Sequence, residues 1–168
     1  MEPKWMKPAR AEVGTREVKG AKDNPRIIAY RAADRCSWMK GSEEAVPWCA
    51  IFVNAMLEGV GVKGTASPAA KSFCSSTLFQ LLPKPALGAI AVIERVPAHP
   101  SLGHVGLCVG ADKDFVWLLG GNQGDAVNVA RFARSRVKGF YWPVSQGMPA
   151  ACGDFRCDVA AVDGGKVV

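Results

Sequence analysis

Residues 104–123 read HVGLCVGADKDFVWLLGGNQ, and the fold depends on how that stretch is taken. Two runs rich in branched and aromatic residues, HVGLCVGA and FVWLLGG, flank a polar tip at Asp112–Asp114. Apolar residues on pleated strands with turn-forming residues between them predict a β-hairpin. With the turn centred on Lys113, directly opposed residues have numbers summing to 226. His104 then faces Asn122, and a slip of one residue brings Gln123 opposite instead.

The same short-strand texture recurs on both sides of the hairpin, in AIAVIER before it and in AVNVARF and VKGFYWP after it. Strands joined this tightly predict an antiparallel sheet, because parallel neighbours need long crossovers. Further upstream the period lengthens. DNPRIIAYRAADRC predicts a helix capped by Asn24, with Pro25 in its first turn and Ile27, Ile28 and Ala32 as an apolar stripe. VPWCAIFVNAML, residues 46–57, predicts a helix with Trp48, Ile51, Phe52, Ala55 and Met56 on its buried face, ended by Gly59 and Gly61. The first 20 residues read as a loose basic helix, KGSEE as a polar loop, and SPAAKSFCSSTLF as holding a short helix. From Ser145 onward the periodicity is lost. The expected architecture is α+β: N-terminal helices packed on an antiparallel sheet of about five strands. A single domain over 1–143, with a basic helical part at 1–40, is followed by a weakly structured tail at 144–168.

A chain of 168 residues that is 49% hydrophobic and 21% charged is globular rather than disordered. No apolar run approaches the ~20 residues a membrane span needs. The opening MEPKWMKPARAEVG has no apolar core of a signal peptide, so synthesis in a cytoplasm and no transmembrane segment are expected. Residues 1–40 hold ten Lys/Arg against five Asp/Glu, a net of +5 out of +6 for the chain. Such a face suits an anionic polymer, or is simply a solvated helical surface. No nucleic-acid motif accompanies it, so no specific nucleic-acid partner is expected. Six cysteines, at 36, 49, 74, 108, 152 and 157, and two histidines match no zinc spacing. Neither a metal nor another cofactor is expected, and the thiols read as reduced. Cys152 and Cys157 are close enough in sequence to pair in an oxidising setting.

Cys49 stands in the first turn of the predicted 46–57 helix. Unpaired N–H groups and the helix dipole stabilise a thiolate there, which is what a nucleophile needs; a buried cysteine also fills space well. A thiolate needs a base. His99 lies in a proline-flanked loop and reads as a surface residue, whereas His104 starts a strand, with Gly103 and Gly106 leaving room beside its ring. A third group must orient the imidazole. The hairpin register offers the amide of Asn122, or alternatively that of Gln123. Asn122 also reads as an ordinary turn residue in GGNQGD.

These segments also carry a resemblance. PWCAIFVNAML, GHVGLCVG and LLGGNQGDAVNV followed by GFYWP resemble the CHAP and NlpC-type, papain-like cysteine hydrolases of the bacterial cell wall. The likeness is greatest to a short phage and bacterial subgroup reading PWCAxFVN, GHVG and LGGNQ, and it spans residues 24–143. The resemblance implies a papain-like fold, with Cys49 as nucleophile, His104 as base and Asn122 as the ring-orienting residue. It implies peptidoglycan as substrate, cut at an amide bond either between muramic acid and stem peptide or within the peptide. Two features depart from the pattern: Ala89 stands where members carry an aspartate, and the acidic calcium motif ahead of Cys49 is missing. Trp48, Glu43 and Glu44 are candidates for the substrate cleft; Trp48 equally suits the core, and the glutamates equally complement the helix N-terminus. The expected protein is a monomeric cell-wall amidase or endopeptidase, such as a phage endolysin. An interbacterial effector toxin, a virion hydrolase, a cysteine protease or acyltransferase on protein substrates, and a non-catalytic wall-binding module are the alternatives.

Overall fold

The computed structural model describes residues 1–20, 22–33, 35, 36, 38–42, 46–95 and 101–164. Glu43, Glu44 and His99 lie outside the described residues. In chain order the elements are α1 (Met6–Ala11), α2 (Pro25–Ala33), α3 (Cys49–Glu58), α4 (Ser72–Ser75), β1 (Phe79–Leu82), β2 (Ile90–Glu94), β3 (Gly103–Ala111), β4 (Phe115–Gly120), β5 (Asn128–Ala133), β6 (Val137–Pro143) and β7 (Val162–Asp163). The fold is therefore α+β, helices first.

The sheet runs β1-β6-β2-β3-β4-β5-β7. Strands β2 to β5 form a meander. Strand β6 then returns to β2, pairing Ile90 with Tyr141 and Ala91 with Phe140, and β1 pairs with the outer edge of β6. These six strands are antiparallel, and the two-residue β7 adds parallel to β5. All five expected strands are present; β1 and β7 are additions. The first was hidden behind serines and prolines, and the second is too short for an alternating pattern to register.

The hairpin keeps the expected register next to its open end: Leu107 pairs with Leu119 and Cys108 with Leu118, both summing to 226. A bulge between Cys108 and Gly110 shifts the pairing near the tip, where Ala111 faces Val116. Pairing of β3 with β4 begins at Leu107. Strand β4 ends at Gly120, so His104, paired with Ile93 of β2, has no residue opposite it on β4.

Helix α3 is buried from Cys49 to Leu57, on every side rather than on one stripe. An element apolar all round belongs inside, and this one packs chiefly against β3 and α2. It ends where Gly61 takes a left-handed φ of 73°, letting the Val62 N–H return to Leu57 O at 3.0 Å. Helix α2 is capped as expected, Asn24 Oδ1 accepting from the Arg26 N–H at 2.9 Å. Its buried face is Ile27, Tyr30 and Arg31, rather than the stripe through Ala32. The Tyr30 hydroxyl donates to Glu12 at 2.7 Å, and its ring packs edge-on against Phe52 at 5.5 Å. Glu12 also receives the Arg26 guanidinium, whose hydrogen bond holds the carboxyl below its ordinary range.

Of the first 20 residues, expected as a loose basic helix, only Met6–Ala11 are helical, and the segment is built into the fold. Trp5 is buried, donates its indole N–H to Gly88 O at 2.9 Å and packs edge-on against Trp142 at 5.1 Å. Residues 14–17 run beside 125–127, with Gly14 N to Val127 O at 2.9 Å and Val127 N to Thr15 O at 2.8 Å. The segment after Ser145 has little regular structure but makes specific backbone contacts with the sheet. Phe155 and Ala111 exchange both backbone hydrogen bonds at 2.9 Å, and Gly164 packs on Phe132. Backbone pairing of this kind needs no side-chain alternation, so the sequence carries no periodic sign of it.

Candidate active site

Cys49 is the first residue of α3, and Trp48 at the cap position supplies no side-chain hydrogen bond to the helix start. The first backbone bond into the helix is Phe52 N to Trp48 O at 2.9 Å, leaving the N–H groups before it unpaired within the helix. The backbone N–H groups of Val105, Ala50 and Cys49 are near enough to favour the thiolate. Burial outweighs them and pushes the thiol up from its ordinary value, so the resting group is a neutral thiol. Val105 follows His104 on β3, the strand against which α3 packs.

The closeness of α3 to the sheet depends on Gly121. A Cβ there would lie 2.5 Å from the Trp48 ring and 2.8 Å from Phe52 Cβ. Only a residue without a side chain lets the helix N-terminus come this near. Trp48 itself is fully buried, with its indole N–H on Glu17 Oε1 at 2.7 Å. The cleft role considered for Trp48 is therefore corrected: it is a core residue that fixes the start of α3.

His104 Nε2 and Gln123 Oε1 are 2.9 Å apart. Of the two amides considered, it is the alternative, Gln123, that meets the ring, and among the described residues no hydrogen bond joins Asn122 to it. The register reasoning failed at the strand end rather than in its arithmetic. The ladder keeps its sum of 226, but β4 stops at Gly120 and Asn122 adopts a left-handed φ of 57°. That turn carries Gln123 back beneath the ring. Gly120 leaves the space: a Cβ there would come within 2.9 Å of Gln123 Oε1.

Gln123 is locked. Its amide nitrogen donates to Asn128 O at 2.8 Å, Asn128 Oδ1 at 2.8 Å and Leu118 O at 3.2 Å. Asn128 Nδ2 answers by donating to Gln123 O at 2.8 Å. With acceptors on the nitrogen side, the amide oxygen is the atom turned to the imidazole. An amide oxygen only accepts, so His104 carries its proton on Nε2 and leaves Nδ1 as the basic nitrogen. Phe132 lies beside the ring at 5.4 Å. The imidazole is 1% exposed, and its pKa falls to about 4, chiefly through burial; Gln123 opposes the fall and the Arg136 charge adds to it.

Cys49 is 5% exposed, so the pair sits under cover rather than in the open groove expected. The space anticipated beside Gly103 and Gly106 is filled. A Cβ at Gly103 would meet Ile93 O at 3.0 Å, and one at Gly106 would meet Leu118 Cβ at 3.0 Å. Cavities of about 620 Å³ and 490 Å³ open elsewhere, the first between the N-terminal residues and 146–155, the second around Trp117 and Arg156.

Three residues passed over in the sequence support this site. Asn54 is fully buried on α3, donates to Ser67 O at 3.1 Å and accepts from the Thr65 N–H at 2.9 Å, pinning the loop after the helix. Its signal was a lone amide in an otherwise apolar helical run. Asn128 was a similar polar interruption in AVNVARF. Glu17, the partner of Trp48, gave no local signal, being 31 residues away. Among the described residues no cluster of three or more His, Cys, Asp or Glu could hold a metal ion, and no helix is long and apolar enough to cross a membrane.

Comparison of the chain with protein-family models, with curated proteins and with solved structures gave no match.

Proposed function

We propose that this chain is a papain-like cysteine amidohydrolase that cuts an amide bond of peptidoglycan, with Cys49 as nucleophile, His104 as base and Gln123 as the residue that orients the imidazole. The observation that carries the reading is one juxtaposition. Cys49 opens a helix packed on β3 with its thiol near the Val105 amide, and the preceding residue is a histidine whose Nε2–H is tied to a fixed amide oxygen. A thiol that is merely filling a core has no need of such an arrangement around the adjacent imidazole. The substrate class rests on the resemblance in residues 24–143, and the setting proposed is a phage endolysin acting as a monomer at the bacterial wall.

Burial sets the order of proton transfer. With the thiol held up and the imidazole held down, the resting pair is neutral. A neutral pair acts by general-base catalysis: as Sγ attacks the amide carbonyl, its proton passes to His104 Nδ1. The imidazolium formed is steadied by Gln123 Oε1. It then protonates the leaving amine, and the same nitrogen later activates the water that releases the acyl group. The N–H of Cys49, which has no partner within the helix, is the oxyanion donor. The Val105 N–H stabilises the sulfur as charge develops and is released.

The near-complete burial of His104 favours one rival, a non-catalytic wall-binding module in which Cys49 fills space. Mass spectrometry of fragments from purified peptidoglycan separates the two. Soluble fragments carrying a newly freed carboxylate on lactyl ether or stem peptide support the amidohydrolase. Fragments with only new reducing sugar ends, or none at all, overturn it.

A further inference from the structure

Two cysteines outside the proposed site converge on Gly110. Cys108 lies on β3 four residues beyond His104, is fully buried, and its sulfur is 3.5 Å from Gly110 O. Cys157 belongs to the C-terminal segment and crosses the same glycine. A Cβ on Gly110 would lie 2.5 Å from Cys157 Cβ and 2.9 Å from its Cα. Only the missing side chain lets the segment pass this close. The Phe155–Ala111 backbone bonds hold the crossing in place two residues upstream. Neither is in a disulfide, Cys157 being the partly accessible one, while Cys152 is exposed.

We propose that Cys108 and Cys157 are a built cross-linking site that closes to an intrachain disulfide when the protein meets a small-molecule disulfide such as oxidised glutathione. A disulfide needs Cα atoms about 4.4–6.8 Å apart. Both residues converge on one glycine, the Cys108 sulfur directed at its carbonyl, and closing the bond requires the Cys157 sulfur to turn from Val159 O, 3.5 Å away. The accessible Cys157 thiolate attacks a sulfur of glutathione disulfide, forming a mixed disulfide and expelling one glutathione thiolate. Cys108 then loses its proton and attacks the Cys157 sulfur, forming the protein S–S bond and expelling the second glutathione. Two electrons pass from the protein thiols to the glutathione disulfide, which leaves as two thiols. Burial pushes the Cys108 thiol up to about 12, which makes the second step the slow one. The bond ties the C-terminal segment, including the residue packed on Phe132 beside the His104 ring, to the strand that carries His104. It is independent of the hydrolase reading.

Trypsin tests this cleanly, because Cys108, Cys152 and Cys157 fall in separate peptides, 96–113, 139–156 and 157–166. The folded full-length chain is incubated with oxidised glutathione, alkylated, digested without reductant and mapped by mass spectrometry. The expected product is peptide 96–113 joined to 157–166, in wild type and in Cys152→Ser alike, with the link lost in Cys157→Ser. Peptide 139–156 joined to 157–166, or Cys157 left as a glutathione adduct with Cys108 alkylated, overturns the proposal. As a second readout, the linked form should show slower amide exchange over residues 153–164 than the reduced form, and equal exchange rates would contradict the clamp.

Discussion

Acidification from pH 7 should weaken the fold through His104 before most carboxylates titrate. The folded ring has a pKa of about 4, against 6.5 for an unperturbed histidine. Between those values the unfolded chain takes up a proton that the folded chain refuses, so stability falls as pH drops through that window. A gap of about 2.5 pKa units corresponds to roughly 3 kcal/mol at its full extent, of which about 2 kcal/mol is already lost at pH 5. At 1% exposure, solvent screening takes little from that figure. The assay is urea unfolding of wild type and His104→Gln at pH 7, 6, 5 and 4.5. The difference between the two cancels the carboxylates, including Glu12, whose lowered pKa also removes stability under acid. The substitution costs stability at pH 7, and that cost should shrink by about 2 kcal/mol on going to pH 5. Curves that stay parallel within about 0.5 kcal/mol would refute the reasoning, as would an NMR titration of the ring with a midpoint near 6.5.

The same burial predicts the pH dependence of hydrolysis: activity constant from about pH 5 to 8, with the acid limb near 4 where His104 Nδ1 takes up a proton. An acid limb near 6.5 in a kcat/KM profile would contradict a neutral resting pair. Gln123→Leu strands the Nε2–H of His104 and two backbone carbonyls, and should lower kcat by roughly 10–100-fold and stability by about 1–3 kcal/mol. Asn122→Gly, at a left-handed φ that suits glycine, should change kcat less than about 2-fold; the reverse ranking of these two variants would restore Asn122 as the orienting residue. Gly121→Ala drives a methyl into Trp48 and Phe52, and should cost about 1–3 kcal/mol in chemical denaturation. An unchanged midpoint would show that α3 does not depend on that close approach.

The elements whose side chains follow a period were readable beforehand. Strands β2 to β6 alternate or run apolar between turn residues, and α3 carries a long apolar run, so their type and order followed from the chain. What escaped was held together by other means. Strand β1 and the 153–164 segment join through backbone hydrogen bonds, which leave no imprint on composition. The core reading of Trp48 was available from helical spacing, and the structure adds the Glu17 acceptor, which no local pattern could supply.

The candidate site shows the same division. The places of Cys49 at the start of α3 and His104 near the start of β3 were legible because helix starts and strand starts have local signatures. The choice between Asn122 and Gln123 hung on where β4 ends, and that is decided by Gly120, the left-handed turn at Asn122 and the Asn128 clamp acting together. A register argument assumes that the strands continue, and these do not. The glycines flanking His104 were read as open space because a missing side chain looks alike whether a substrate or a neighbouring strand fills the gap. Only packing distinguishes the two, and here the neighbours fill it.

The account stands or falls on the sulfur at position 49 doing chemistry with the ring at 104. The most direct measurement is the release of new primary amines or lactyl carboxylates from purified sacculi by wild type, Cys49→Ala and His104→Gln at equal folded concentration. The account predicts turnover by wild type and a loss of at least about 10³-fold in both variants. Turnover by Cys49→Ala equal to that of wild type would contradict it.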